Sequence, residues 1–220
     1  MRPRSHLFTT ASEAVARIPS GASVAIGGSG SGHAIPDALI AALGARFRAS
    51  GKPDGITLLH PFGVGDQRTR GLQQVAEAGM YRRIVGGHWS MAPAMAELAA
   101  TNAVPSYCLP AGVMIQMFHA AAGGSPGWMT HVGLHTFVDP RLQGGRLNAK
   151  ATESLVELVE RDGREWLFYP TIPVNVALIK AWRADEAGNL TMNEEAGWWH
   201  NLTLALAAKA SGGLHARRRP

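Results

Sequence analysis

Apolar positions along this chain follow two alternating rhythms. Ala14, Val15 and Ile18 fall at helical spacing behind Thr10-Ala11-Ser12-Glu13, which has the spacing of a capping box, so a helix starts near residue 11. Pro19-Ser20-Gly21 ends it. Ala22 to Ile26 is a short apolar run between turn signals, the pattern of a buried strand. Leu39, Ile40, Leu43 and Phe47 then repeat at helical spacing, with Pro36 suited to the first turn and Ser50-Gly51 as the stop.

The alternation continues with a strand at Ile56 to His60, a glycine loop at Pro61 to Asp66 and a helix over Leu72 to Ala78. It goes on with a strand at Arg83 to Val85, a helix over Pro93 to Ala100, a strand at Tyr107 to Leu109 and a helix over Val113 to Ala121. Strands and helices in strict alternation imply parallel pairing through right-handed crossovers. The expected fold is therefore α/β, an open, mostly parallel sheet with helices on both faces. Such sheets place ligands at the carboxyl ends of their strands, where the glycine loops fall.

Beyond about residue 123 the texture changes. Val156 to Glu160 and Arg164 to Tyr169 flank Asp162-Gly163 and read as a hairpin. Val174 to Trp182 fits strand or helix, and a second turn at Glu186 to Asn189 favours strand. Asn201 to Lys209 is helical in pattern and stops at Ser211-Gly212-Gly213. These features describe one domain over residues 1–213 with a strand-rich C-terminal portion. Residues 214–220 form a basic tail, expected to be disordered and unable to supply a core strand.

Composition narrows the function. With 220 residues and 46% hydrophobic content, the chain is long enough for one sizeable core. The net charge of +5 sits largely at the ends, at Arg2, Arg4 and Arg217-Arg218-Arg219, with no basic stripe interleaved with aromatics. Nucleic-acid recognition is thus disfavoured. No apolar run reaches the ~18 residues of a membrane span, and the N-terminus has no apolar signal core. The expected location is cytoplasmic. The lone Cys108 reads as a buried structural thiol, and the histidines show no paired metal spacing, so no metal is expected.

The most conspicuous chemistry lies at Gly27-Gly28-Ser29-Gly30-Ser31-Gly32-His33, between the first apolar strand and the helix after Pro36. Such a loop exposes backbone amides that can cradle phosphate or an oxyanion. It is no clean dinucleotide fingerprint. Counting from Gly28 and Gly30 the third glycine falls on His33, and from Gly30 and Gly32 on Ile35; no Walker lysine follows. A ligand site and a tight structural turn both remain open.

The run Ser20 to Gly28, followed by Gly30, Gly32 and Ala34-Ile35-Pro36-Asp37-Ala38-Leu39, resembles the glycine-loop signature of family I coenzyme A transferases. Ile84-Val85-Gly86-Gly87-His88-Trp89 resembles the next segment of the acetate and propionate CoA-transferase branch. Ala122-Gly123-Gly124, Gly133 to Arg141, Gly144-Gly145, Leu167 to Pro170 and Ala184 to Thr191 follow in the family's order. The resemblance spans roughly residues 10 to 213.

In that family a glutamate attacks an acyl-CoA thioester, passes through an acyl anhydride and a glutamyl-CoA thioester, and delivers CoA to an acceptor carboxylate. The resemblance makes this chain the α subunit or N-terminal half. The glutamate belongs to the β subunit or C-terminal half, so no catalytic residue is assigned here. Glu194-Glu195 reads as a solvated pair in a turn. The resemblance implies substrate and CoA contacts at Gly27, Gly28, Gly30, Gly32, Gly112 and Gly133. It also implies a CoA thioester as substrate, no permanently bound cofactor, a short-chain carboxylate as acceptor, and an oligomer containing the β half.

Three departures stand out. Pro110-Ala111-Gly112 replaces the family's Pro-Gln-Gly, and an alanine side chain donates no hydrogen bond. His135 replaces the second glycine of a Gly-x-Gly-Thr turn and reads as a structural strand-edge histidine or as a ligand contact. The segment after Gly213 replaces an apolar strand, which reads as truncation or loss of the last elements. Trp198-Trp199 fits either a partner surface or internal packing. Two other functions share these features: a non-catalytic remnant, and a regulatory module that binds a nucleotide or sugar phosphate.

Overall fold

The computed structural model describes residues 8–212 and 214–217. Thr10 closes the capping box with Glu13 and starts α1 (Ala11–Ala16). Four strands follow in chain order, three of them leading into an α-helix. They run β1 (Ser23–Ile26), α2 (Asp37–Ser50), β2 (Ile56–His60), β3 (Tyr81–Gly86), α3 (Pro93–Ala100), β4 (Ser106–Cys108) and α4 (Ala111–Ala122).

The expected helix over Leu72 to Ala78 is instead two 3-10 turns, Leu72–Val75 and Ala78–Met80. The carbonyl of Gln74 accepts from Arg48 Nη1 at 3.0 Å rather than from a fourth-residue amide, and its side chain donates to Asp37 Oδ1 at 2.7 Å. Tertiary hydrogen bonds thus replace the ladder that would have continued a helix.

The second portion begins with three antiparallel strands, β5 (Gly127–Thr130), β6 (Glu157–Arg161) and β7 (Arg164–Pro170), in the order β5-β7-β6. The Asp162-Gly163 turn closes the β6–β7 hairpin with both residues at positive φ, as a two-residue primed turn requires. The chain then returns to the first sheet as β8 (Val176–Ile179), makes a two-stranded ribbon of β9 (Arg183–Ala184) and β10 (Leu190–Thr191), and ends in α5 (Asn201–Ala210) and β11 (Leu214–Arg217).

The main sheet has the order β11-β8-β1-β2-β3-β4, with every neighbouring pair parallel. The expectation that residues 214–220 contribute no strand is corrected for Leu214–Arg217, which pair with Val176 to Ile179 along the open edge of β8. Edge amides and carbonyls supply a register that side-chain composition does not reveal. Residues 218–220 lie outside the described residues.

Alternate residues of each strand serve opposite faces. Ala25, Leu59, Val85 and Tyr107 pack with α4, α5 and β7 on one side. Val24, Ile26, Leu58, Ile84 and Val176 pack with α1, α2 and α3 on the other. Both faces are covered, as an all-parallel sheet demands. Among the described residues, no helix is long and apolar enough to cross a membrane.

Candidate active site

All the glycine loops of the first portion lie at one edge of the main sheet, beyond the carboxyl ends of β1, β2 and β3. Chain order runs outward from β1 through β2, β3 and β4, then resumes on the other side of β1 with β8. The crevice between β1 and β8 is therefore the point where strand order reverses, the usual ligand position in open α/β sheets. A cavity of about 360 Å³ occupies it. Ser31, Gly32 and Ile35 to Leu39 line it from the β1 side, Arg70 from the segment after β2, and Ile179 to Trp182 from the end of β8.

The glycine loop is a stitched structure. Ser29 and His33 exchange backbone hydrogen bonds at 2.9 and 3.1 Å. The Gly30 amide donates to the Gly63 carbonyl at 2.7 Å, and Gly65 donates to the Gly30 carbonyl at 2.9 Å, which ties this loop to the one after β2. Those contacts occupy the amides of Ser29, Gly30 and His33. The amides of Gly28, Ser31 and Gly32 have no backbone partner among the described residues.

Gly28 holds φ +88°, and a Cβ there would lie 2.7 Å from the Ala34 carbonyl oxygen. Gly27 abuts the side chain of Asn201, whose Oδ1 fills the space a Cβ would need. Asn201 Nδ2 donates to the Lys180 carbonyl at 2.9 Å, so the start of α5 clamps the ends of β1 and β8 together.

The other two expected contacts lie elsewhere. Gly112 opens α4 beside Ala111, which packs on Gly87 at the end of β3. Gly133 sits in the turn after β5, at φ +104°, where a Cβ would lie 2.6 Å from the Tyr169 hydroxyl. Packing against Tyr169 accounts for that glycine. His135 is exposed in the same turn at φ +61°, not at a strand edge, a left-handed backbone that glycine adopts more readily than histidine.

Aromatic side chains roof the first two loops. Trp199 stacks on His33 at 5.8 Å and meets Phe62 edge-on at 5.5 Å, while His200 stacks on Phe62 at 6.0 Å. The tryptophan pair therefore divides: Trp199 packs inward and Trp198 is 73% exposed.

Buried ionisable groups surround the edge. His60, 1% exposed at the end of β2, hydrogen-bonds through Nδ1 to the Phe62 carbonyl at 3.2 Å, which leaves Nε2 as a bare acceptor without a partner. Burial pushes its pKa down to about 4. Glu194 is exposed as expected, but the Glu195 side chain is only 4% exposed, which corrects the solvated pair. Its two oxygens hold Lys180 Nζ at 2.9 and 3.0 Å. Composition shows a turn-bound Glu-Glu; only the return of β8 brings Lys180 over it. No cluster able to hold a metal occurs among the described residues.

Residues 8–211 match the family model described as Coenzyme A transferase. The chain is 37% identical over 205 residues to the acetate CoA-transferase YdiF of Escherichia coli K12, covering 93% of this chain and 39% of the relative. It is 38% identical over 207 residues to the caffeate CoA-transferase of Acetobacterium woodii, covering 94% and 39%. The crystal structure of the acyl-CoA transferase YdiF of E. coli O157:H7, as a thioester complex with CoA, superposes with a TM-score of 0.95 at 34% identity. It covers 99% of this chain and 43% of that one. The chain thus spans about two-fifths of the length of these relatives. From its glycine loop at the reversal of strand order to the end of α5, this chain belongs to the coenzyme A transferase family.

Proposed function

We propose that this chain is the first half of a cytoplasmic, oligomeric CoA-transferase that moves CoA from a short-chain acyl-CoA to acetate, propionate or a similar carboxylate. A second half brings the attacking glutamate. The supporting observation is the placement of the open Ser31 and Gly32 amides on a cavity at the strand-order reversal, within a chain that matches the family from residue 8 to 211.

In this reading the glutamate of the second half adds to the thioester carbonyl, and the CoA thiolate leaves as an acyl anhydride forms. The thiolate then attacks the glutamyl carbonyl of that anhydride, releases the first carboxylate and leaves CoA on the glutamate. An acceptor carboxylate repeats the sequence in reverse. Each addition places negative charge on a carbonyl oxygen, and fixed backbone amides stabilise such charge without reorganising. This chain contributes those amides, and the Phe62–Trp199–His33 stack walls the loop beside them. Ala111 contributes no hydrogen bond where the family pattern has glutamine, so positioning rests more heavily on the loop.

The test is exchange of labelled acetate into acetyl-CoA and propionyl-CoA. This chain alone gives none, and the chain mixed with a glutamate-bearing second half restores it. Exchange catalysed by the isolated chain would overturn the division of labour.

A further inference from the structure

We infer that β6 is a docking edge for a second copy of this chain, which adds its own β6 antiparallel across a two-fold axis at Val159.

The strand order β5-β7-β6 leaves β6 with a neighbour on one side only among the described residues. The hairpin turn sets which groups the open side offers. Across Asp162-Gly163 the Arg161 carbonyl faces the Arg164 amide, so Arg161 points its backbone at β7, and antiparallel alternation makes Val159 and Glu157 do the same. The amides and carbonyls of Leu158 and Glu160 therefore point away from β7. Neither has a further backbone partner among the described residues. An edge of this kind is a template for another strand.

The order of side chains along β6 fits its own copy in one register. With Leu158 opposite Glu160 of the other copy, the outward amides and carbonyls satisfy each other in both directions and the axis passes through Val159. Glu157 then falls opposite Arg161 of the other copy, and Arg161 opposite its Glu157. These are non-hydrogen-bonded positions, where Cα atoms approach to ~4.5 Å and side chains are closest. Opposite charges placed there stabilise the pair, and like charges oppose it. Shifting the register one way sets Glu160 against Glu160. Shifting it the other way sets Glu157 against Val159 and leaves Arg161 beyond the overlap. Within one copy, Arg161 meets only Asp162 among the described residues, at 3.8 Å with the two side chains 71% and 92% exposed. Charges that blunt an edge strand against other partners are here arranged, acid at one end and base at the other, to accept the same strand reversed.

The two faces of the small sheet agree with this. Directly opposed residues share a face, so Leu158 lies with Leu167 and Tyr169, which are buried in the core. Met129, Val159, Trp166 and Phe168 lie on the other face and join neither core cluster. Val159 is the member of that apolar row on the open edge, and the axis sets it against Val159 of the other copy. On the core side, Leu158, 38% exposed, meets the methylenes of Glu160. Pairing one short strand buries little surface, so the association is weak and depends on concentration. It gives the proposed oligomer a surface, yet it needs neither acyl transfer nor a second half, so either reading can fail without the other.

Sedimentation velocity of the full chain over a wide concentration range tests this. The native chain passes from monomer to dimer as concentration rises, and added salt shifts the balance toward monomer. Glu157→Arg and Arg161→Glu each weaken the dimer by about tenfold or more, and the swap Glu157→Arg/Arg161→Glu restores it. Restoration in the doubly altered chain separates lost pairing from misfolding. In a Cys108→Ser background, Val159→Cys gives a disulfide-linked dimer under mild oxidation, because the ~4.5 Å separation at the axis lies within disulfide reach. Glu157→Cys gives none, since its symmetry mate lies more than ~10 Å away along the strand. A chain that stays monomeric throughout, a dimer indifferent to the single charge reversals, or linkage at Glu157→Cys as ready as at Val159→Cys overturns the proposal. So does a Val159→Cys disulfide that forms only with an added second half.

Discussion

Gly28 carries the backbone requirement of the loop in a single residue. Its φ of +88° and its contact with the Ala34 carbonyl leave a Cβ neither a favoured conformation nor space. Gly28→Ala therefore costs about 2–4 kcal/mol, the sum of left-handed strain and overpacking, read as a lower urea midpoint. His60 sets a pH dependence. Its folded pKa near 4 lies below the unfolded value near 6.5, so the unfolded chain gains a proton first as pH falls. The stability tied to its neutral form is present above pH 6.5 and is lost progressively toward pH 4, on the order of 3 kcal/mol over the window. Urea titrations between those pH values show a slope smaller by about one proton in His60→Gln. The glycines were legible in the sequence because few residues tolerate such a loop. The burial of His60 and Glu195 was not, because both depend on strands distant in the chain.

Among the elements, the turn from Gly133 to Gly145 shows how a loop without secondary structure is held. Asp139 is 1% exposed and accepts from the His135 amide at 3.0 Å and the Arg141 amide at 3.0 Å, while the Arg141 side chain clamps it at 2.8 and 3.0 Å. Arg141 in turn reaches Glu165 on β7 at 2.7 Å. The Arg141 guanidinium holds the Asp139 carboxyl well below the ordinary carboxylate range. Asp139→Ala strands two backbone amides and loosens this clamp, for a loss of about 1–3 kcal/mol in urea unfolding. Faster hydrogen exchange confined to residues 133–145 accompanies it. The β6–β7 hairpin was readable from Asp-Gly alone, since a two-residue turn selects its own residues. The destination of β8 was not, because Val-Ala-Leu-Ile fills a buried strand equally well in either sheet. The same holds for Leu214–Arg217, where edge pairing decides the outcome.

Across the whole molecule, the reversal of strand order at β1 gathers what the sequence scatters. Residues 31, 70, 180 and 182 meet on one cavity because β2 and β8 flank β1. Alternation of helix and strand foretold that the glycine loops gather at the carboxyl edge; it did not reveal that the last helix and a late strand return to it. Trp198 at 73% exposed, with Leu202 at 70% exposed on α5, leaves apolar surface near that edge. The central claim is that the glycine loop faces the reacting thioester while the nucleophile arrives on other polypeptide. The most direct measurement is a crystal structure of this chain assembled with its second half and trapped with acyl-CoA. The account predicts the thioester oxygen within ~3 Å of an open amide at Gly28, Ser31 or Gly32. A thioester seated away from residues 27–36, with side chains sealing that loop from it, would contradict the account.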